Sequence, residues 1–156
     1  MHFPSQRPFG YAGVLLALLT LLHGVPSSAR ENLGTVSVTV EGIRAKDRGV
    51  LVVALFRGES GWLDPDSTFA RRVVPVSADT TRIAFEAVPH DTSYALQVFH
   101  DRNENGKMDM RWFPYPKPKE GGGVSNNNVR RGPPKFDKAR FAVSDSSVTL
   151  RITMRY

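Results

Sequence analysis

The sequence predicts an all-β protein: an antiparallel seven-stranded β-sandwich, immunoglobulin-like or transthyretin-like, with one long ordered loop. Three observations predict it. Residues 35–40, Thr-Val-Ser-Val-Thr-Val, alternate without a break, the period of a strand with one buried and one wet face. Short apolar or alternating runs recur along the chain and are joined by Gly, Pro and Asp turns. No stretch beyond residue 30 carries a capped 3.6-residue apolar period.

Taken in order, the strand at 35–40 stops at Gly42 and the polar run Lys46-Asp47-Arg48-Gly49. Residues 50–56 are apolar throughout, so both faces of that strand are expected to be covered, which makes it central. Arg57-Gly58-Glu59-Ser60-Gly61 ends it, and residues 62–66 read as loop. Further strands are expected at 70–76, 82–88 and 93–99, a short one at 139–143, and a last one at 148–156. In that last strand Val148, Leu150, Ile152 and Met154 share one face, while Thr149, Arg151, Thr153 and Arg155 share the other.

The beginning of the chain sets where it is expected to work. Arg7 supplies a positive start, residues 11–22 are nearly uninterrupted apolar, and Ser27-Ser28-Ala29 offers the small residues of a signal-peptidase site. The apolar run is about a dozen residues, short of the roughly twenty that cross a bilayer as a helix. We therefore expect residues 1–29 to be a removed signal peptide and residues 30–156 to form one exported domain, periplasmic or secreted, with no stable membrane span. No cysteine is present, so neither a lipid-acylation site nor a disulfide framework exists, and stability rests on packing and on any bound ion. The net charge is +6, falling to +5 once Arg7 leaves with the signal. Its basic residues are spread along the chain, with local pairs at Arg71-Arg72, Lys117 and Lys119, and Arg130-Arg131, which describes a solvated surface and not a nucleic-acid footprint. A monomer is expected.

The most informative motif is Asp101-Arg102-Asn103-Glu104-Asn105-Gly106-Lys107-Met108-Asp109. Calcium is a hard cation that takes about six to eight oxygens at about 2.3 to 2.6 Å. A D-x-[DN]-x-[DN]-G start supplies three side-chain oxygens, here from Asp101, Asn103 and Asn105, and a backbone carbonyl, here that of Lys107. Asp109 adds another oxygen, directly or through water. Trp112 stands at the twelfth loop position, where an EF-hand needs a bidentate Glu, so the loop is expected to leave a strand and not to join two helices. Glu120, beside glycines that allow close approach, is the expected extra ligand, with Ser125 or Asn126 next. Asn and Gly are also ordinary turn formers, and a turn that binds nothing uses the same residues.

Residues 110–138 hold five prolines, four glycines and three consecutive asparagines, so regular sheet is not expected there. Long ordered loops are usually functional. Trp112, Phe113 and Tyr115 near its start are expected either to cover the open end of the sandwich as a lid, the commoner fate of large aromatics, or to contact an envelope glycan or peptide.

The order Tyr94-Ala95, His100 with the 101–109 run, Pro118-Lys119-Glu120-Gly121, Ser125-Asn126-Asn127, Gly132-Pro133-Pro134, Phe136-Asp137 and a terminal strand ending in Tyr156 resembles the bacterial domain of unknown function 2141 family over about residues 33–156. The resemblance implies an exported sandwich and carries no established activity. The chain departs from the family pattern at Pro116-Lys117-Pro118, where Gly-Ile-Pro is usual, and at Gly122, where an aromatic is usual.

Catalysis is not expected. His2 and His23 leave with the signal, so His90 and His100 are too few for a three-histidine zinc site, and there is neither a Gly-x-Ser-x-Gly elbow nor a cysteine nucleophile. The alternative is a secreted hydrolase acting on a glycan or ester with His100, Asp101 or Glu120 as acid or base.

Overall fold

A computed structural model of the chain describes residues 32–127, 132–144 and 146–156. The expected signal peptide and Arg130-Arg131 lie outside the described residues. Ten strands are formed among those residues: β1 (Leu33–Glu41), β2 (Val50–Arg57), β3 (Ala70–Pro75), β4 (Thr80–Pro89), β5 (Ser93–Asp101), β6 (Met110–Arg111), β7 (Lys117–Pro118), β8 (Gly122–Val124), β9 (Phe141–Ala142) and β10 (Ser147–Thr153). One short helix, α1 (Phe136–Ala139), and three 3-10 turns complete the chain.

The protein is mostly β. One sheet runs β10-β1-β4, the other β3-β2-β5-β8 with β9 also on β5, and β6-β7 is a separate ribbon. The inward residues of both sheets meet in one core. Val36, Val38 and Val40 of β1, Ile83, Phe85 and Val88 of β4, and Ile152 of β10 pack with Leu51, Val53 and Leu55 of β2 and Tyr94, Leu96 and Val98 of β5. Burying a side chain of this size contributes about 1.5 to 3 kcal/mol each, and the period-2 pattern of β1 puts every valine on that side.

β4 keeps its register by a bulge. Val36 pairs with Phe85 and Gly34 with Val88, so Glu86 and Ala87 together oppose a single residue of β1. Ala87 takes the left-handed backbone (φ 55°) there, and Val88 is turned back into the core.

The all-apolar strand at 50–56 is central, as its pattern requires, between β3 and β5. The cover on its second face comes partly from Trp62, which stacks edge-on against Phe56 (5.0 Å between centroids) and Phe136 of α1 (5.9 Å). The Trp62 indole N–H donates to the Pro134 carbonyl at 2.8 Å, fixing the Pro-Pro segment over the sheet.

Four expectations are corrected. The sandwich is not wholly antiparallel, because β10 pairs with β1 in parallel from Thr35↔Ser147 to Glu41↔Thr153. Residues 110–138 do contain sheet, since β6, β7 and β8 are short enough to fit between prolines and glycines. The strand expected at 139–143 shortens to β9 because the preceding turn coils into α1, where the Arg140 N–H bonds the Phe136 carbonyl at 2.8 Å. Residues 62–66 run partly into a 3-10 turn at Pro65–Ser67, which the Asp64 carboxylate caps at the Asp66 N–H. Among the described residues no helix is long and apolar enough to cross a membrane.

Candidate functional site

The site begins where β5 ends. Alternation along β5 sends Tyr94, Leu96 and Val98 into the core and carries His100 with them, fully buried, while Asp101 turns to the opposite face. Gly49, beside the start of β2, makes this end close-packed: a Cβ there would stand 2.4 Å from the Asp101 carbonyl oxygen and 2.7 Å from the Arg102 Cα. β8 lies on the other side of β5, and its lead-in brings Glu120 against the start of the loop, with the His100 N–H on the Gly121 carbonyl at 2.9 Å.

Residues 101–109 wrap around Asp101. Its carboxylate is 1% exposed, and its two oxygens accept the Asn105 N–H at 3.1 Å and the Gly106 N–H at 2.6 Å. Gly106 allows this because it holds the left-handed backbone (φ 77°) that the sharp turn needs. The Asn105 side-chain oxygen accepts the Lys107 N–H at 2.9 Å. The side-chain NH2 groups of Asn103 and Asn105 both donate to Asp109, at 3.0 and 3.2 Å.

Glu120, 4% exposed, buckles the loop shut. One carboxylate oxygen accepts the Arg102 N–H at 3.0 Å and the other the Asp109 N–H at 3.2 Å, spanning both ends of the loop. The Arg102 guanidinium donates to the Lys119 carbonyl at 3.0 Å, and the Lys119 N–H to the Asp109 carbonyl at 2.9 Å. Asp47, Arg102, Asn103, Asp109, Lys119 and Glu120 line a shallow depression of about 330 Å³. The sequence-predicted set Asp101, Asn103, Asn105, Lys107, Asp109 and Glu120 is thus one hydrogen-bonded unit.

Does this unit suit a cation? Among the described residues no three of His, Cys, Asp and Glu gather as a metal-holding group, so an ion here has to draw on amide and carbonyl oxygens as well. The donor chemistry fits calcium in kind. A carboxylate carries about four lone-pair sites, and those of Asp101 and Glu120 each spend two on N–H groups. Turning the terminal amide of Asn103 replaces NH2 by oxygen beside Asp109, whereas the Asn105 oxygen is already engaged by the Lys107 N–H.

The loop leads directly into the β6-β7 ribbon, which pairs Met110 with Pro118 and Arg111 with Lys117. Its tip carries Trp112, Phe113 and Tyr115, exposed by 73%, 84% and 62%. The lid expectation is therefore corrected: these rings project outward. Between Arg111 and Lys117 the chain bends back at residues 113–115, where the Phe113–Pro114 peptide is cis, and this turn lifts the three rings away from the sheets; Trp62 and Phe136 provide aromatic cover elsewhere. Arg111 flanks the tip together with Lys117, which is expected from the sequence only as part of a solvated surface. The signal for them is the run of ten residues from Met110 to Lys119 without an acid.

His100 and Asp101, adjacent in sequence, face opposite sides of β5 and cannot work as one acid–base pair. The His100 ring is held at both nitrogens, Nδ1 by the Tyr156 hydroxyl at 2.8 Å and Nε2 by the Arg48 carbonyl. Since a carbonyl only accepts, Nε2 carries the proton and Nδ1 accepts from the phenol. The same phenol accepts the Arg44 N–H at 2.9 Å. Burial raises the Tyr156 phenol above its ordinary value of 10.0, with the Arg44 hydrogen bond and charge opposing.

Ser125 and Asn126, named as further ion ligands, are used otherwise. Ser125 Oγ accepts the Leu96 N–H at 3.0 Å and donates to the Ala139 carbonyl. The Asn126 side-chain NH2 donates to the Lys138 and Arg140 carbonyls, and the Asn127 amide bonds β10 twice, from Nδ2 to the Arg151 carbonyl at 3.1 Å and from the Thr153 N–H to Oδ1 at 2.7 Å. These side chains do the work of backbone groups in stitching loop to sheet.

A family model described as an uncharacterized protein conserved in bacteria, DUF2141, matches residues 38–151. No match was found among curated proteins or among solved structures.

Proposed function

Because the chain belongs to the DUF2141 family of uncharacterized bacterial proteins, a membership that brings no activity with it, we propose its function from the site alone: it is an exported, non-enzymatic binding protein. Its loop at residues 101–109, buckled by Glu120 and ordered by calcium, holds the β6-β7 ribbon outward as a contact surface for a component of the bacterial envelope.

One observation carries the reading: three aromatic rings exposed by 73%, 84% and 62% sit together on a ribbon whose base is tied down. Displayed aromatic clusters mark interaction surfaces because leaving them in water forfeits the free energy of burial. The tie is the bond of Lys119 N–H to the Asp109 carbonyl together with both Glu120 oxygens. In this proposal the ion draws on the set Asp101, Asn103, Asn105, the Lys107 carbonyl, Asp109 and Glu120, with no more than two of the three carboxylates reaching it directly. Calcium supplies a fixed positive charge that sets the loop. Asp101 and Glu120 orient its two ends, and Gly106 permits the turn between them.

Retention of the purified chain on isolated bacterial envelopes tests the contact surface. The triple variant W112A/F113A/Y115A should lose most retention without losing thermal stability, since the rings it removes are exposed. Equal retention of the variant and the parent would remove the ribbon from the function. Calorimetric titration of the chelated protein with CaCl2 tests the ion, and an absence of both heat and thermal stabilisation at millimolar calcium would leave the loop closed by its own hydrogen bonds alone.

A further inference from the structure

We propose that the surface met by the β6-β7 ribbon is an anionic lipid bilayer, which the ribbon joins peripherally. The inference rests on the contact-surface reading above and names its partner.

Three features of the ribbon select this partner. The first is charge. From Met110 to Lys119 the sequence is Met-Arg-Trp-Phe-Pro-Tyr-Pro-Lys-Pro-Lys, with three cations and no acid, and Arg111, Lys117 and Lys119 are all exposed. Arg111 and Lys117 stand directly opposite one another in the ribbon register. Like charges across a strand pair repel, and an anionic surface relieves that repulsion for both at once. Of the nearby acids, Asp101 and Glu120 are buried and turned to backbone N–H groups, and the carboxylate of Asp109 is taken up by the side-chain NH2 groups of Asn103 and Asn105.

The second feature is the chemistry of the rings. The most exposed is Phe113, at 84%, and it has no polar atom. A ring of this kind gains most where water is left behind, and Trp and Tyr beside it have the amphipathic rings that settle at the headgroup level. The third is what the ribbon lacks. A neutral glycan is read by side chains that accept from its hydroxyls, and between Met110 and Lys119 only the Tyr115 hydroxyl can accept. Cations at the flanks and aromatics at the tip of a projecting ribbon suit a surface that is anionic outside and apolar within.

Vesicle sedimentation with the full chain tests the proposal. The chain should pellet with phosphatidylcholine vesicles containing phosphatidylglycerol and stay in solution with phosphatidylcholine alone, and added salt should release it. The variant R111Q/K117Q should bind the anionic vesicles roughly thirtyfold more weakly, since each cation near such a surface is worth about a fivefold factor in affinity, and W112A/F113A/Y115A should lose binding to them. Residues 1–29 are common to all these chains, so the differences report the ribbon. The emission of the parent should shift to the blue on binding, and W112F should abolish that shift, because Trp62, the other tryptophan, is already packed against Phe56 and Phe136.

Equal pelleting with neutral and anionic vesicles overturns the proposal, as does unaltered binding of either multiple variant. A blue shift produced equally by a soluble anionic polysaccharide or peptide also overturns it, and assigns the ribbon to that class. If the parent ignores anionic vesicles while W112A/F113A/Y115A still loses envelope retention, the lipid inference fails and the contact surface stands.

Discussion

Two side chains extend the hydrogen-bond ladder of β5 beyond the ends of β8, and they do it with different chemistry. Past one end, Ser125 Oγ accepts the Leu96 N–H; past the other, a Glu120 carboxylate oxygen accepts the Arg102 N–H. The serine hydroxyl also spends its proton on the Ala139 carbonyl and carries no net charge. The glutamate spends its second oxygen on the Asp109 N–H, and still keeps lone pairs and a negative charge beside Asp101 and Asp109. One junction is chemically complete and structural. The other has surplus charge and lone pairs, and that surplus is what the proposed ion would use.

The largest effect expected at the charged junction is from Asp101→Ala. It leaves the Asn105 and Gly106 N–H groups without their acceptor in an almost fully buried position, which should cost about 3 kcal/mol in denaturant or thermal unfolding. A loss below about 1 kcal/mol would mean that the loop does not depend on its central carboxylate. Next comes the ion. Calcium at about a hundred times its dissociation constant should stabilise the parent by about 2.7 kcal/mol, with less for Glu120→Gln and none for Asp101→Ala. Ser125→Ala should cost about 2 kcal/mol by orphaning the Leu96 N–H, yet keep the full calcium increment. If Ser125→Ala and Glu120→Gln change the calcium response alike, the two junctions are not distinct in kind.

The smallest effect is at Tyr156, beside the same end of β5. Burial raises its phenol above 10.0, so the folded protein holds the phenolic proton more tightly than the unfolded chain does. The stability this contributes is complete below about pH 10 and is lost as pH rises through the folded value. Tyr156→Phe should cost about 1 kcal/mol at neutral pH, through the lost bonds to His100 and Arg44, and should flatten part of the alkaline decline. Tyr94, also raised chiefly by burial, retains its own share in the same window. An unchanged alkaline limb in Tyr156→Phe would assign that decline elsewhere.

How far the sequence shows all this depends on how local each signal is. The valines of β1, the unbroken apolar run of β2 and the alternation of Val148, Leu150 and Ile152 in β10 are patterns contained within single strands, and they were readable. The parallel pairing of β1 with β10 was not, because register between strands more than a hundred residues apart leaves no mark in either one. β6 and β7 have two residues each and β8 has three, too few to show a period among glycines and prolines. At the site, the Asp/Asn/Gly spacing located the loop, and Glu120, expected as an ion ligand, meets it through the Arg102 and Asp109 N–H groups. The roles of Ser125, Asn126 and Asn127 were missed because a side chain that replaces a backbone acceptor is defined by its partner strand. The outward display of Trp112 was missed because large aromatics usually bury, and the two-residue strands that carry the tip leave no period in the sequence.

The parallel seam between β1 and β10 has a consequence in time. β1 is the middle strand of its sheet, with β4 on one side and β10 on the other, so Val36 waits for Val148. During synthesis β1 and β4 can meet early, but the other border of β1 stays bare until the last strand arrives. Contacts this distant along the chain slow folding, and an open strand border is a template for pairing with another molecule. A chain cut short before residue 147 would keep most of its apolar residues and still display that border, and its fate would be to associate with its own kind.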